Sequence, residues 1–92
     1  MKTYVFNRNE FKWAEEYYNL ISQKMKLPEW FGKNADALWD MITGHIETPC
    51  EIVLIGFDKK ENEYNALIIQ RIHDCFLNAA KEFPDRFKVR FE

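Results

Sequence analysis

Residues 27–49 read Leu27-Pro-Glu-Trp-Phe-Gly-Lys-Asn-Ala-Asp-Ala-Leu-Trp-Asp-Met-Ile-Thr-Gly-His-Ile-Glu-Thr-Pro49. The stretch opens as a loop, since Pro28 fixes its own backbone and Gly32 permits a turn through positive φ. Asn34 stands where a helix N-cap belongs, because its side-chain oxygen can accept a bond from a backbone N–H that the first helical turn leaves without a partner. A helix is predicted from Ala35 to about Thr43, with Gly44 placed to end it.

Two faces of that helix differ in kind. Leu38, Met41 and Ile42, with Ala35, form an apolar stripe at helical spacing. Asp36, Trp39, Asp40 and Thr43 fall at i, i+3, i+4 and i+7 and share another face. Asp36 lies in the first turn, where the helix dipole favours a negative charge, but Asp40 lies beyond that benefit. The four-residue spacing of the two carboxylates destabilises an isolated helix by about 0.2–0.5 kcal/mol. From Glu29 to Glu51 five acids face Lys33 alone, a local charge of −4. A fold by itself rarely asks for this arrangement, whereas a basic partner does.

The residues Leu27-Pro28-Glu29, Gly32, Asn34, Asp36-Ala37-Leu38-Trp39-Asp40, Thr43-Gly44, Glu47 and Pro49 closely resemble, without a gap, the signature of the barstar family, intracellular inhibitors of secreted ribonucleases such as barnase. Outside this window the resemblance is one of length, element order and apolar pattern. It implies a mechanism that agrees with the charge reading. The loop and second helix would plug the positive active-site cleft of a ribonuclease, with carboxylates standing in for the substrate's phosphates and pairing with the enzyme's Arg, Lys and His. Asp40 would sit deepest, with Asp36 beside it.

The other candidate contacts divide between fold and interface. Trp30 takes the place of the family's first loop aromatic, a tyrosine. With Phe31 it either closes the core or packs on the partner. Trp39 is retained and reads as half core and half rim. Asn34 and Gly44 are cap and terminator, and Gly44 also brings backbone near a partner. Thr43 shares the acidic face. His45 replaces the aromatic that follows the glycine, and Glu47 is either a contact or a solvated charge. Asn78 aligns with an acidic contact of the family's last helix, with Asp74 and Glu82 nearby on the same helix.

The remaining chain supplies a fold for this segment. Ninety-two residues, 47% hydrophobic and 16% aromatic, make one domain spanning 1–92. Thr3 to Phe6 reads as a strand. Asn7 or Asn9 can cap a helix from Glu10 to about Lys26, with Glu10 as a capping-box partner of Asn7. Phe11, Ala14, Tyr18, Ile21 and Met25 form its stripe, widened by Trp13, Tyr17 and Leu20, and Pro28 ends it. Glu51 to Ile55 reads as a strand buried on both faces and hence central. Residues 57–62 make a polar turn or a single helical turn. A long helix follows from Glu63 to Phe83 on Ile68 or Ile69, Ile72, Phe76, Ala79 and Phe83, with Gln70, Arg71, Asp74, Asn78 and Lys81 on its polar face. Phe87 to Phe91 alternates as a strand with one wet face. Strands separated by helices imply parallel pairing, and so an α/β fold with a three-stranded parallel sheet covered by helices. The resemblance implies the same fold.

Composition narrows the function classes. A net charge of −2 argues against nucleic-acid binding, and the richest aromatic region is the acidic one, whereas a base-stacking surface should be basic. No apolar run approaches the roughly 18 residues of a membrane span, and the N-terminus turns polar too early for a signal peptide. Cytoplasmic residence is expected, with Cys50 and Cys75 as reduced, largely buried thiols. A Cys50–His45–Asp40 nucleophile set would place its sulfur at the head of a buried strand, and neither His45 with Cys50 nor His73, Asp74 and Cys75 has metal-ligand spacing. No glycine-rich phosphate loop is present. The expectation is therefore a non-enzymatic inhibitor, monomeric when free and without cofactor or metal, that binds a ribonuclease by protein contact in an immunity or antitoxin role. The alternative is an adaptor of the same fold that binds another basic protein or itself.

Overall fold

The computed structural model describes residues 1–92. Its elements are β1 (Lys2–Asn7), a 3-10 turn (Arg8–Glu10), α1 (Glu15–Lys24), α2 (Ala35–Gly44), β2 (Cys50–Ile55), α3 (Glu63–Glu82) and β3 (Phe87–Phe91). The strands form one parallel sheet in the order β1-β2-β3, in a register that aligns Tyr4 with Ile52 and Ile52 with Val89. Alternation places Tyr4, Phe6, Ile52, Leu54 and Phe87 on the face that joins the helices in a core cluster of 22 buried residues.

Val53 lies on the opposite face, outside that cluster, yet is only 3% exposed. Its register neighbours are Val5 and Arg90, and Arg90 reaches toward Glu51 at 3.9 Å. In so narrow a sheet, side chains from the two edge strands are enough to bury the middle of the central one. The free edge of β1 is guarded by Lys24, whose Nζ donates to the Val5 carbonyl (2.6 Å) and pairs with Glu10 (2.8 Å).

The first helix starts later than its apolar stripe suggests, at Glu15 instead of Glu10. Asn7 Oδ1 accepts from the Asn9 N–H (3.1 Å) and Glu10 accepts from the Asn7 N–H (2.8 Å), so the capping box forms but closes only a 3-10 turn. Phe11 is then extended (φ −142°, ψ 153°), which lets its ring stack on Tyr17 at 4.6 Å and face the Arg8 guanidinium at 4.5 Å. Glu16 accepts from the Lys12 and Trp13 N–H groups, and the buried Asn65 on α3 accepts from the Ala14 N–H (3.2 Å). Trp13 therefore lies before the helix and points outward, 51% exposed, instead of widening its buried stripe.

α1 also stops before Pro28. Lys26 turns left-handed (φ 54°), the Leu27 N–H reaches the Ser22 carbonyl and the Lys26 N–H reaches Gln23. This is the paired C-terminal closure usually built on glycine.

α3 follows its pattern. Asn62 caps it by accepting from the Asn65 N–H (2.7 Å), Ile69, Ile72, Phe76 and Ala79 are buried, and Gln70, Arg71, Asp74, Asn78 and Lys81 are exposed. His73 is buried among Tyr17, Phe57, Phe76 and Phe91, with Nε2 2.8 Å from the Tyr17 hydroxyl, and burial lowers its pKa to about 4. Both cysteines are free and buried. Burial raises the pKa of both thiols, that of Cys75 to about 11.

Candidate functional site

The loop before α2 is fixed from within. Leu27 and Phe31 are buried, and the Phe31 N–H donates to the Pro28 carbonyl (3.0 Å). Phe31 lies 6.3 Å from the Tyr18 ring and is only 5% exposed. It closes the core and leaves little surface for a partner, while Trp30 beside it stands out at 73% exposure. Gly32 does not adopt positive φ. Lys33 does, at 48°. A Cβ at Gly32 would lie 3.3 Å from both the Ala37 Cβ and the Asn34 Nδ2, a tight approach that a larger residue would have to relieve by shifting those side chains. Asn34 acts in both directions: Oδ1 accepts from the Ala37 N–H (2.8 Å) and Nδ2 donates to the Gly32 carbonyl (3.0 Å). The side chain that caps the helix thus also ties the loop to it.

α2 buries Leu38, Met41 and Ile42 and turns Asp36 and Asp40 to solvent. Neither carboxylate belongs to any of the molecule's ion pairs. Trp39 lies half-buried between them and the core, its ring 6.5 Å from Phe83. With Asn78, Lys81 and Glu82 it lines a recess of about 540 Å³ along the groove between α2 and α3. A second recess of about 310 Å³ joins Trp39 and Asn78 to Asp36, Arg71 and Asp74. Asn78 is thus brought to Trp39 and Asp36 from 39 and 42 positions away in sequence.

The C-terminal end of α2 differs from expectation. Gly44 is the last helical residue and does not turn left-handed; His45 is the cap, its N–H donating to Met41 (2.8 Å). A Cβ on Gly44 would meet nothing within 4 Å, so this glycine leaves open surface and is not a steric terminator. Thr43 Oγ1 donates to the Trp39 carbonyl (2.7 Å). His45 and Glu47 are exposed but line a separate recess of about 330 Å³ with Lys2, Tyr4, Lys24 and Lys26. The candidate residues therefore form one continuous set (Asn34, Asp36, Trp39, Asp40, Thr43, Asn78), with Trp30 on the adjoining loop, His45 and Glu47 past the far end, and Phe31 inside.

Sequence reasoning did not single out Arg71, Lys81 or Arg86 for this site. Arg71 and Lys81 lie at positions i−3 and i+7 from Asp74 on the exposed face of α3, so their spacing was a usable signal. Arg86 Nη2 donates to the Thr43 carbonyl (3.0 Å), a contact across 43 residues with no local sequence trace. The same holds for Cys75 Sγ, which donates to the Ala35 carbonyl at 3.3 Å and ties α3 to the start of α2. The Cys50–His45–Asp40 set offers no accessible nucleophile, because Cys50 is fully buried in β2 while His45 and Asp40 are exposed. What the arrangement offers is fixed, unpaired negative charge beside an aromatic ring.

A three-stranded parallel sheet packed against three helices puts the chain in the α/β class of fold. The model of the family described as "Barstar (barnase inhibitor)" matches residues 1–92. A Bacillus subtilis (strain 168) protein named "Putative ribonuclease inhibitor YrdF" is 27% identical over 92 residues, covering 100% of both chains. The chain belongs to the barstar family, which places it among inhibitors and not among enzymes.

Proposed function

We propose that this protein binds a ribonuclease and blocks its active site with the acidic face of α2 and the preceding loop. The observation that carries the reading is the pair Asp36 and Asp40, exposed and without ion-pair partners, on the helix that also carries a half-buried Trp39. A cleft that must hold RNA phosphates is positive, and carboxylates held on a rigid helix fit it. Asp40 is the central contact and Asp36 its neighbour. Trp30 packs on the rim, Thr43 and Gly44 let backbone approach, and Asn78 extends the contact onto α3. His45 and Glu47 form the outer margin.

The role that follows is immunity: a monomer in the producing cell that neutralises the cell's own or a neighbour's ribonuclease toxin. Two buried thiols suit a reducing compartment, and no helix is long and apolar enough to cross a membrane. The test is an activity titration in which RNA hydrolysis by secreted bacterial ribonucleases is followed as the protein is added. For the cognate enzyme the rate should fall linearly to zero at one equivalent. Residual full activity of every enzyme at saturating protein would overturn the proposal.

A further inference from the structure

We infer that Arg86 is the positioning residue of the docking helix, clamping the C-terminal end of α2 so that the acidic face is presented in one orientation. The inference rests on α2 being the docking element. The last carbonyls of any helix lack intrahelical partners. Most helices answer with a left-handed glycine or a basic side chain in the last turn. α2 has neither, since its last turn holds no basic residue and Gly44 does not turn left-handed. Arg86 supplies both functions from the turn before β3. Its Nη2 donates to the Thr43 carbonyl (3.0 Å), and its charge lies at the negative end of the helix dipole.

The guanidinium is itself held in place. It lies 5.2 Å from the ring of Phe83 and 5.2 Å from that of Phe87, and Nε is 3.4 Å from Thr48 Oγ1. The Arg86 carbonyl accepts the Cys50 N–H (2.9 Å) that opens β2, and its own N–H donates to Phe83 (2.9 Å). One residue thus joins α2, the 45–49 loop, β2 and the α3–β3 turn. Thr43 passes the constraint back one turn, because its hydroxyl donates to the carbonyl of Trp39, next to Asp40. A planar fork lying against two neighbouring rings suits arginine, whereas a lysine ammonium offers the charge without the shape.

The experiment uses the full chain with Arg86→Gln and Arg86→Lys, and reads amide hydrogen exchange by NMR together with affinity for a ribonuclease that the wild type inhibits. In Arg86→Gln the amides of His45 and Ile46 should exchange about tenfold faster, beyond any change at Ile72 and Phe76 in α3, as expected on losing a charged hydrogen bond. Arg86→Lys should recover only part of this protection. The complex should dissociate faster while its association rate falls little. Equal acceleration in α2 and α3, or full recovery by lysine, would overturn the clamp. If the wild type binds no ribonuclease, the inhibitor reading fails by itself, and the exchange pattern still decides whether Arg86 holds the helix.

Discussion

Asp40 gains nothing from its own fold. It lies past the first turn of α2, it is exposed, no cation reaches it, and Asp36 repels it from one turn away. Asp40→Ala should leave thermal stability unchanged or slightly raised, by a few tenths of a kcal/mol, which differential scanning calorimetry would read. Asn34 is the reverse case. Its side chain caps α2 and ties down the loop, so Asn34→Ala should cost about 1 kcal/mol in urea unfolding. His73 carries the pH dependence. Its folded pKa, about 4, is below the ordinary 6.5 because burial disfavours the charged ring, so between those values the unfolded chain binds more protons. Stability should be complete above pH 6.5 and fall by about 3 kcal/mol as the pH drops to 4. A flat stability profile over that interval would show that His73 is protonated in the folded state.

At the scale of elements, the sequence was legible wherever one periodicity had no competitor. The stripes of α2 and α3, the continuous apolar run of β2 and the alternation of β3 all predict the elements that form. α1 was misread at its start because a capping box looks the same ahead of a 3-10 turn and an α-helix. What decides between them is Phe11 leaving the helix to stack on Tyr17, with a buried Asn65 from α3 receiving the Ala14 N–H. These contacts span up to 51 residues and leave no trace in a local window. In the loop before α2 the left-handed residue is Lys33, not Gly32, and α1 closes on a left-handed Lys26. Lys26→Gly should therefore stabilise the protein by up to about 1 kcal/mol, since a β-carbon is disfavoured there, and a rise in the urea midpoint would show it. The candidate site was legible in its acidic helix through the like-charge spacing and the family signature. On α3 the family alignment already pointed to Asn78, with Asp74 and Glu82 nearby, whereas the Arg86 contact depends on tertiary packing that the signature does not encode.

For the molecule as a whole, the net charge is only −2, but it is unevenly distributed. Arg8 and Glu61 neutralise each other at 2.6 Å, Lys24 and Glu10 at 2.8 Å, and Arg90 lies 2.8 Å from Glu92, while Asp36 and Asp40 remain unpaired on one helix. A surface of this kind accelerates encounter with a positive cleft at low ionic strength and loses that advantage once the Debye length shrinks to about 10 Å or less. The core and α3 hold α2 from behind, and Asn34, Cys75 and Arg86 hold its two ends. The most direct measurement is calorimetric titration of the protein and its Asp40→Ala variant into secreted bacterial ribonucleases at low and high salt. The account predicts tight one-to-one binding to a cognate enzyme, weakened by salt and weakened by more than about 2 kcal/mol in the variant. The barnase–barstar pair is the reference example of such a carboxylate, and the scale of that loss is carried over from it. Binding by Asp40→Ala as tight as by the parent would contradict the account, because the partner would then rest on some other face of the molecule.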